Sequence, residues 1–164
     1  SLDCAADLEP LWLMAQAVPS ASLVPCVSSL PAGWRFITVP EEPTQSAARN
    51  GWSIFTLRKY LVGSLLVRLS ATCDTTGAVQ QPSDQPGAQR YERTGQGPSG
   101  RAATWYTVFP GGCVTAQLDW TSAADAGIAT EARSIIDFTT RQALQQALEQ
   151  RSGGRLHLDP ASTG

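Results

Sequence analysis

Alternation of apolar and polar residues is the clearest pattern in the middle of the chain. Over residues 64–73 apolar side chains occupy every second position, with Arg68, Ser70 and Thr72 between them, and a strand with one buried face has this period. Similar segments predict strands over 34–39, 52–58, 103–109 and 113–120. Because Pro110, Gly111 and Gly112 separate the last two segments, these indicate a hairpin.

Two other segments have the three- and four-residue spacing of amphipathic helices. Apolar residues at positions 8, 11, 12, 15 and 18 predict a short helix over 7–18. Residues 129–151 have the same spacing, and Thr139 followed by Gln142 matches a capping box, so this segment forms one helix or two that meet near Phe138. The glycines at 153 and 154 end it. Residues 155–159 predict a last short strand before a frayed tail, 160–164.

The order of these elements predicts an α+β fold. We expect a single domain, 1–164, in which a mainly antiparallel sheet of about five strands packs against an N-terminal helix and a longer C-terminal helix, or two helices there. Residues 19–25 predict a loop leading to Cys26, and 40–50 a polar loop. Residues 74–102 contain glycine and proline but almost no large aliphatic residue. They predict a long polar loop, or two weak pieces around 89–93, and loops of that length are often functional.

Composition describes a globular chain with a modest aliphatic core. Of the 164 residues, 42% are apolar and 16% are charged, but 22 are alanine, so the five tryptophans supply much of the buriable surface. No apolar run approaches the roughly 20 residues that cross a bilayer. The sequence starts at Ser1 with no apolar leader segment, so we expect any leader or membrane anchor to lie outside it.

Four cysteines, at 4, 26, 73 and 113, predict two disulfides. Their spacing lacks a C-x-x-C motif, and one histidine in the chain leaves few other zinc ligands. Three pairings are possible, besides buried free thiols. We favour Cys4–Cys26, which would tie the first helix to the following segment, and Cys73–Cys113, which would join two strands. Disulfides persist in oxidising compartments, so we expect an extracytoplasmic, secreted or membrane-anchored protein.

The net charge of −2 is a cancellation between segments of opposite charge. Residues 1–48 carry −4, residues 49–101 carry +4 and residues 102–164 carry −2. The basic middle segment predicts a patch for an anionic envelope polymer, a lipid head group or an acidic partner protein; alternatively, its arginines lie on the outer face of a sheet and solubilise a loop. An acidic pI of 5.3 and the absence of a recognition module argue against nucleic acid.

Adjacent aromatic residues in a predicted strand give the candidate binding surface. Trp105 and Tyr106 must point to opposite faces, so we expect one of them to leave the core and, with Arg90, Arg93 and Arg101, to mark a binding site.

The sequence offers weak support for catalysis. His157 is the single imidazole, and Asp159 would share its side of a strand, but no G-x-S-x-G elbow accompanies them. We therefore predict no catalytic residue, no metal site and no cofactor. The predicted function is a non-enzymatic binding, sensing or assembly module of a larger membrane-anchored protein, with an envelope protein or polymer as partner. The alternative is a cell-envelope hydrolase that uses His157 with a serine and a carboxylate from distant segments.

Three motifs carry a resemblance to a group of proteins. They are residues 24–27 (VPCV) with 30–34 (LPAGW), residues 108–115 (VFPGGCVT) and residues 154–160 (GRLHLDP). The chain resembles, over most of its length, uncharacterised extracytoplasmic regions of actinobacterial membrane proteins. Eleven arginines against one lysine, with abundant alanine and glycine, are typical of the high-GC genomes of such organisms. The resemblance implies a location outside the cytoplasm and no particular activity.

Overall fold

The computed structural model describes residues 2–40, 51–121 and 127–162. Over these ranges it confirms the α+β class, with three helices, a seven-stranded sheet and a two-stranded ribbon. The helices are α1 (Leu8–Ala17), α2 (Ile128–Ile135) and α3 (Arg141–Ser152). The strands are β1 (Leu23–Val27), β2 (Trp34–Thr38), β3 (Trp52–Lys59), β4 (Gly63–Ser70), β5 (Val79–Gln81), β6 (Gln89–Gly97), β7 (Gly100–Phe109), β8 (Gly112–Thr121) and β9 (Ile136–Thr140).

The main sheet is antiparallel and runs in the order β2-β3-β4-β8-β7-β6-β5. The alternation that predicted the strands sets its two faces. Phe55, Val67, Ala116 and Trp105 are successive cross-strand partners on one face, and all four are buried. They form one apolar cluster with the buried side chains of all three helices. One sheet face is therefore the core and the opposite face carries more polar residues.

The C-terminal segment contains two helices separated by a strand, so the two-helix alternative is correct. Strand β9 lies between α2 and α3 and pairs with β1, and the predicted loop over 19–25 is wrong because residues 23–25 belong to β1. Pro25 is tolerated there because this ribbon has two strands only, and a missing amide donor is acceptable on an edge strand. In β9, Ile136 and Phe138 pack against the core.

A buried arginine joins the first and last helices. Arg141, 4% exposed, is the first residue of α3. Its Nη1 donates to the carbonyl oxygens of Ala15 (3.0 Å), Val18 (3.3 Å) and Ala21 (3.3 Å). These carbonyls lie at and beyond the end of α1, where a helix has no amides of its own to bond them; the Val18 carbonyl also accepts from the Ala21 amide at 3.1 Å. Burial of the guanidinium lowers the pKa of Arg141, and the charge of Asp159 opposes that shift. The side chain thus satisfies a helix end that the core would otherwise leave unbonded.

The predicted polar loop over 74–102 is wrong. Strands β5 and β6 occupy most of this segment, and β7 begins at Gly100. All nine residues of β6 have partners in β7, whereas most of its side chains are half-buried or exposed. Backbone pairing holds this strand, so the large aliphatic residues that usually identify a strand are not required. The sheet consequently has more strands than the predicted five.

The end of the chain is packed without the predicted strand over 155–159. Leu158 is buried, the Asp159 carbonyl accepts a hydrogen bond from Arg141 Nε at 2.8 Å, and the Ser162 amide donates to the Pro19 carbonyl at 3.0 Å. The frayed tail is therefore wrong for residues 160–162, while 163–164 lie outside the described residues. The polar loop predicted over 40–50 also lies outside them, except for Pro40.

Both disulfides are present with the pairing favoured from the sequence. Cys4–Cys26 has a Cα–Cα distance of 5.0 Å and Cys73–Cys113 one of 5.9 Å. The first links the segment before α1 to β1, and the second links the chain after β4 to the start of β8. None of the described helices is long and apolar enough to cross a membrane.

Candidate functional site

A cleft of about 250 Å³ opens beside the core, at the end of the sheet that β5, β6 and β7 form. Its walls come from five elements, which are the β5–β6 turn, strands β6, β7 and β9, and helix α2. The lining residues are Ser83, Asp84, Gln85, Arg90, Trp105, Thr107, Arg133, Ile136, Asp137 and Phe138. One indole ring, one phenyl ring and two guanidinium groups thus meet in one small concavity. Like other ligand sites, it combines apolar walls with a few polar groups.

Trp105 forms part of the apolar wall and is 4% exposed. It lies on β7 opposite Glu92 of β6 and Ala116 of β8. The guanidinium carbon of Arg133 lies 5.7 Å from the centre of its ring, in cation–π geometry. Arg133 Nη2 also donates to the Glu92 carboxylate. The side chain of Arg133 is therefore fixed in place by an aromatic ring and an acid.

The two arginines of the cleft have unused hydrogen-bond donors. The Nε atoms of Arg90 and Arg133 are both buried, and neither has a hydrogen-bond partner among the described residues. A buried donor left without a partner is unfavourable, by about 1–3 kcal/mol. Arg90 is on β6 directly opposite Thr107, and no ion pair is formed by its guanidinium within the described part of the chain. Both arginines line the cleft, so their guanidinium groups are the cationic donors available in its wall.

Acidic and basic side chains share the lining of this cleft. The Nε atoms are buried, whereas Asp84 and Asp137 are exposed residues of the lining. One oxygen of Asp137 accepts from the Phe138 amide at 2.8 Å, so this carboxylate is held at the mouth by its own backbone. A ligand would meet these two exposed acids together with the half-buried Arg90 and Arg133.

The structure brings together two of the five predicted binding residues. Trp105 and Arg90 line the cleft, but Tyr106 and Arg93 lie on the opposite face, where Arg93 Nη2 donates to the Tyr106 hydroxyl at 2.8 Å. Arg101 is exposed at the start of β7, beside its cross-strand partner Trp120 and away from the cleft. Tyr106 leaves the core face as predicted, since the apolar cluster includes Trp105 and not Tyr106. The expected exposed aromatic is wrong, because each of the two side chains is only 4% exposed. Arg93 covers the Tyr106 ring and reaches the Thr76 carbonyl at 3.1 Å.

Sequence reasoning missed the contribution of α2 and β9. Arg133 was one of several charged residues in a predicted helix, and no periodicity links it to Trp105, 28 positions earlier by residue number. Glu92 gave a usable signal, since an acid among the basic residues 90–101 invites an ion pair. Its partner became visible only from the tertiary structure.

Two further concavities lie near the turn between β6 and β7. One, of about 690 Å³, includes Arg101 and Trp120; the other, of about 450 Å³, includes Leu66, Pro98 and Asp119. Both are larger than the cleft. Neither contains a buried nitrogen that lacks a partner among the described residues, so we regard the smaller cleft as the better binding site.

The His157 side chain is largely exposed and lies close to two acidic side chains. Its side chain is 64% exposed, with Nε2 3.0 Å from Asp159 Oδ1 and Nδ1 4.0 Å from Glu149 Oε1. Within the described ranges no serine hydroxyl bonds to this ring, and the cleft does not include it. Over the same ranges no group of three or more histidine, cysteine, aspartate or glutamate side chains is placed to hold a metal ion.

Comparison with known proteins gives one distant structural match. No family model matches the chain, and no curated protein does. A crystal structure of a protein from Bacteroides thetaiotaomicron VPI-5482 superposes with a TM-score of 0.42 and 13% sequence identity. The match covers 74% of this chain and 47% of that one, so this chain spans about half of that protein's length. A similarity at this level carries no argument about function.

Proposed function

We propose that this domain is a non-enzymatic binding module, exposed outside the cytoplasmic membrane, whose cleft binds a small ligand through its carboxylate. One observation carries the proposal: Arg90 and Arg133, whose buried Nε groups have no partner among the described residues, line the same cleft as Trp105. Arginine presents a planar set of donors that matches a carboxylate, and such charge-assisted hydrogen bonds are strong.

The acids at the mouth favour a zwitterionic ligand over a simple anion. A dianion would have to pass the exposed Asp84 and Asp137, which repel it. An amino acid or a short peptide would direct its carboxylate to the arginines and its ammonium group to these acids. A volume of about 250 Å³ lies below the usual range for drug-sized ligands, and Trp105 and Phe138 provide apolar walls for a side chain.

The location outside the cytoplasm is supported by the two disulfides. Such bonds are rare in proteins of reducing compartments. The resemblance to extracytoplasmic regions of actinobacterial membrane proteins agrees with this location. We expect the protein from its native host to be lighter than the reduced chain by the four hydrogens that two disulfides remove, and free thiols in that material would contradict the location.

A titration followed by NMR tests the ligand class. The indole N–H signal of Trp105, assigned with Trp105→Phe, should shift on addition of free amino acids and Gly-Gly. The corresponding C-terminal amides should shift it much less, because they lack the carboxylate. Arg90→Gln should weaken binding about tenfold or more, since a hydrogen bond to a charged group contributes roughly 1.5–3 kcal/mol.

Arg101→Gln is the matched control, because it makes the same chemical change at an exposed site outside the cleft. It should bind as the unmodified protein does. Equal binding of acids and amides, or an equal effect of both substitutions, would contradict the proposed site. Absence of binding by every member of the panel would exclude amino acids and short peptides as ligands.

The hydrolase alternative has less support. The exposed pair of His157 and Asp159 lies apart from the cleft, and within the described residues no serine contacts the imidazole. Our proposal therefore assigns no reaction to it.

A further inference from the structure

The connection between β3 and β4 carries the two most exposed large apolar residues of the described chain. Tyr60 is 66% exposed and its neighbour Leu61 is 78% exposed. They lie between Lys59 and Gly63, which pair with each other at the end of the hairpin. Single exposed apolar residues are ordinary on protein surfaces, but an adjacent pair at a hairpin tip calls for an explanation.

The backbone of Leu61 gives a first, independent indication of function. Its φ is +59°, and it is the one residue other than glycine with a positive φ in the described ranges. The Val62 amide donates to the Lys59 carbonyl at 3.0 Å, so Leu61 is the third residue of a four-residue turn. Glycine is the usual residue at a turn position with positive φ. A leucine there makes the turn less stable and exposes its side chain, which indicates that the side chain serves another purpose.

Two arginines beside the tip give a second indication. Arg35 of β2 and Arg58 of β3 are direct cross-strand partners, and both are exposed. Neither forms an ion pair within the described residues, and like charges directly opposite each other destabilise a sheet. The adjacent Lys59, in contrast, is paired with Glu131 at 3.0 Å. Over the ranges that the structure describes, the sheet here keeps two cations next to each other with no acid paired to either.

We propose that the β3–β4 tip docks on a lipid bilayer that contains anionic headgroups. Tyr60 and Leu61 enter the interfacial layer, where an amphipathic aromatic ring is favoured, while Arg35 and Arg58 meet lipid phosphates. A protein partner fits these observations less well, because a stable protein interface needs about 800 Å² from each side and the tip offers two side chains. This surface is separate from the cleft and does not depend on its ligand.

Sedimentation with vesicles tests the proposal on the intact chain. Binding to phosphatidylcholine vesicles should be weak and should rise when a fifth of the lipid is phosphatidylglycerol. Replacing both Arg35 and Arg58 by glutamine should remove most of that rise, about fivefold for each cation lost near the surface. Leu61→Gly should lower binding about fivefold or more without lowering the midpoint of thermal unfolding, because glycine suits this φ.

Val79→Gly is the matched apolar control, since Val79 is 65% exposed on the opposite edge strand, β5. It should bind vesicles normally, as should Arg90→Gln, whose defect is confined to the cleft. Vesicle binding that does not depend on the fraction of anionic lipid would overturn the proposal. An equal loss of vesicle binding in Val79→Gly and Leu61→Gly would overturn it too. The proposal would also be overturned if the unmodified chain bound no vesicles and instead bound a protein through Tyr60 and Leu61.

Discussion

Gly111, in the turn between β7 and β8, occupies a position that tolerates no side chain. Its φ is +77°, and a Cβ atom there would fall on the carbonyl oxygen of Ser20. The same contact is reinforced by the Ser20 hydroxyl, which donates to the Gly111 carbonyl at 2.6 Å. Gly77 has nearly the same φ, +79°, but no atom lies within 4 Å of its Cβ position. Alanine substitution at Gly77 therefore introduces backbone strain alone, whereas at Gly111 it introduces backbone strain and a steric clash.

We predict that Gly111→Ala lowers the free energy of unfolding by about 3 kcal/mol or more, whereas Gly77→Ala lowers it by about 1 kcal/mol, the usual effect of a positive φ alone. Urea denaturation of both variants measures the difference. Equal losses would mean that the Ser20 segment moves away without penalty.

Several side-chain roles could not be read from the sequence because they depend on contacts between distant segments. Trp105 and Tyr106 follow the alternation rule, since they point to opposite faces. Both are buried nevertheless, because Arg133 covers one ring and Arg93 the other. In the same way Arg141, one charged residue in an amphipathic pattern, bonds to the end of α1. Long arginine stems bury apolar surface while their charged ends find acceptors.

At the scale of elements, the start of α3 gives a test with an internal control. Thr140 is the N-cap, and its Oγ1 accepts from the Ala143 amide at 3.0 Å. Thr139, which the sequence motif identified as the cap, is one residue earlier and belongs to β9. Thr140→Ala should lower the free energy of unfolding by about 1 kcal/mol. Thr139→Ala should change the free energy of unfolding less. Thermal or urea unfolding of the two variants measures both changes, and a larger loss in Thr139→Ala would identify Thr139 as the functional cap.

The elements predicted from the sequence are those whose side chains are buried on one face. Strands β2, β3, β4, β7 and β8 and the helices α1 and α3 all appear close to their predicted bounds. Strands β5 and β6 were predicted only as the alternative of two weak pieces around 89–93, because at the edge of the sheet a strand needs backbone pairing and few aliphatic residues. Strand β9 was read as helix, since the spacing of Ile135, Ile136 and Phe138 fits either structure in so short a segment.

At the scale of the molecule, the cleft is a product of topology. Arg90 and Trp105 come from adjacent strands and were named from the sequence, whereas Arg133 and Phe138 reach the same place from α2 and β9. Their convergence requires the helical layer to cover one end of the sheet. The loop closed by Cys73–Cys113 contains β5, β6 and β7, so this disulfide encloses the strands that form one wall of the cleft.

Removal of each disulfide tests how the crosslinks stabilise the whole chain. The bridges close loops of 22 and 40 residues, and restriction of the unfolded chain predicts a contribution of roughly 3–4 kcal/mol from each, slightly larger for the longer loop. We expect Cys73→Ala with Cys113→Ala, and separately Cys4→Ala with Cys26→Ala, to lower the free energy of unfolding in urea by these amounts. The native fold should persist in both, because the backbone pairing of position 113 with Ser70 does not need the cysteine side chain, and the Val27 amide still donates to the Leu2 carbonyl at 2.9 Å. Losses below 1 kcal/mol in both double variants would show that the unfolded chain stays compact without the crosslinks, and the entropic account would then fail for this protein.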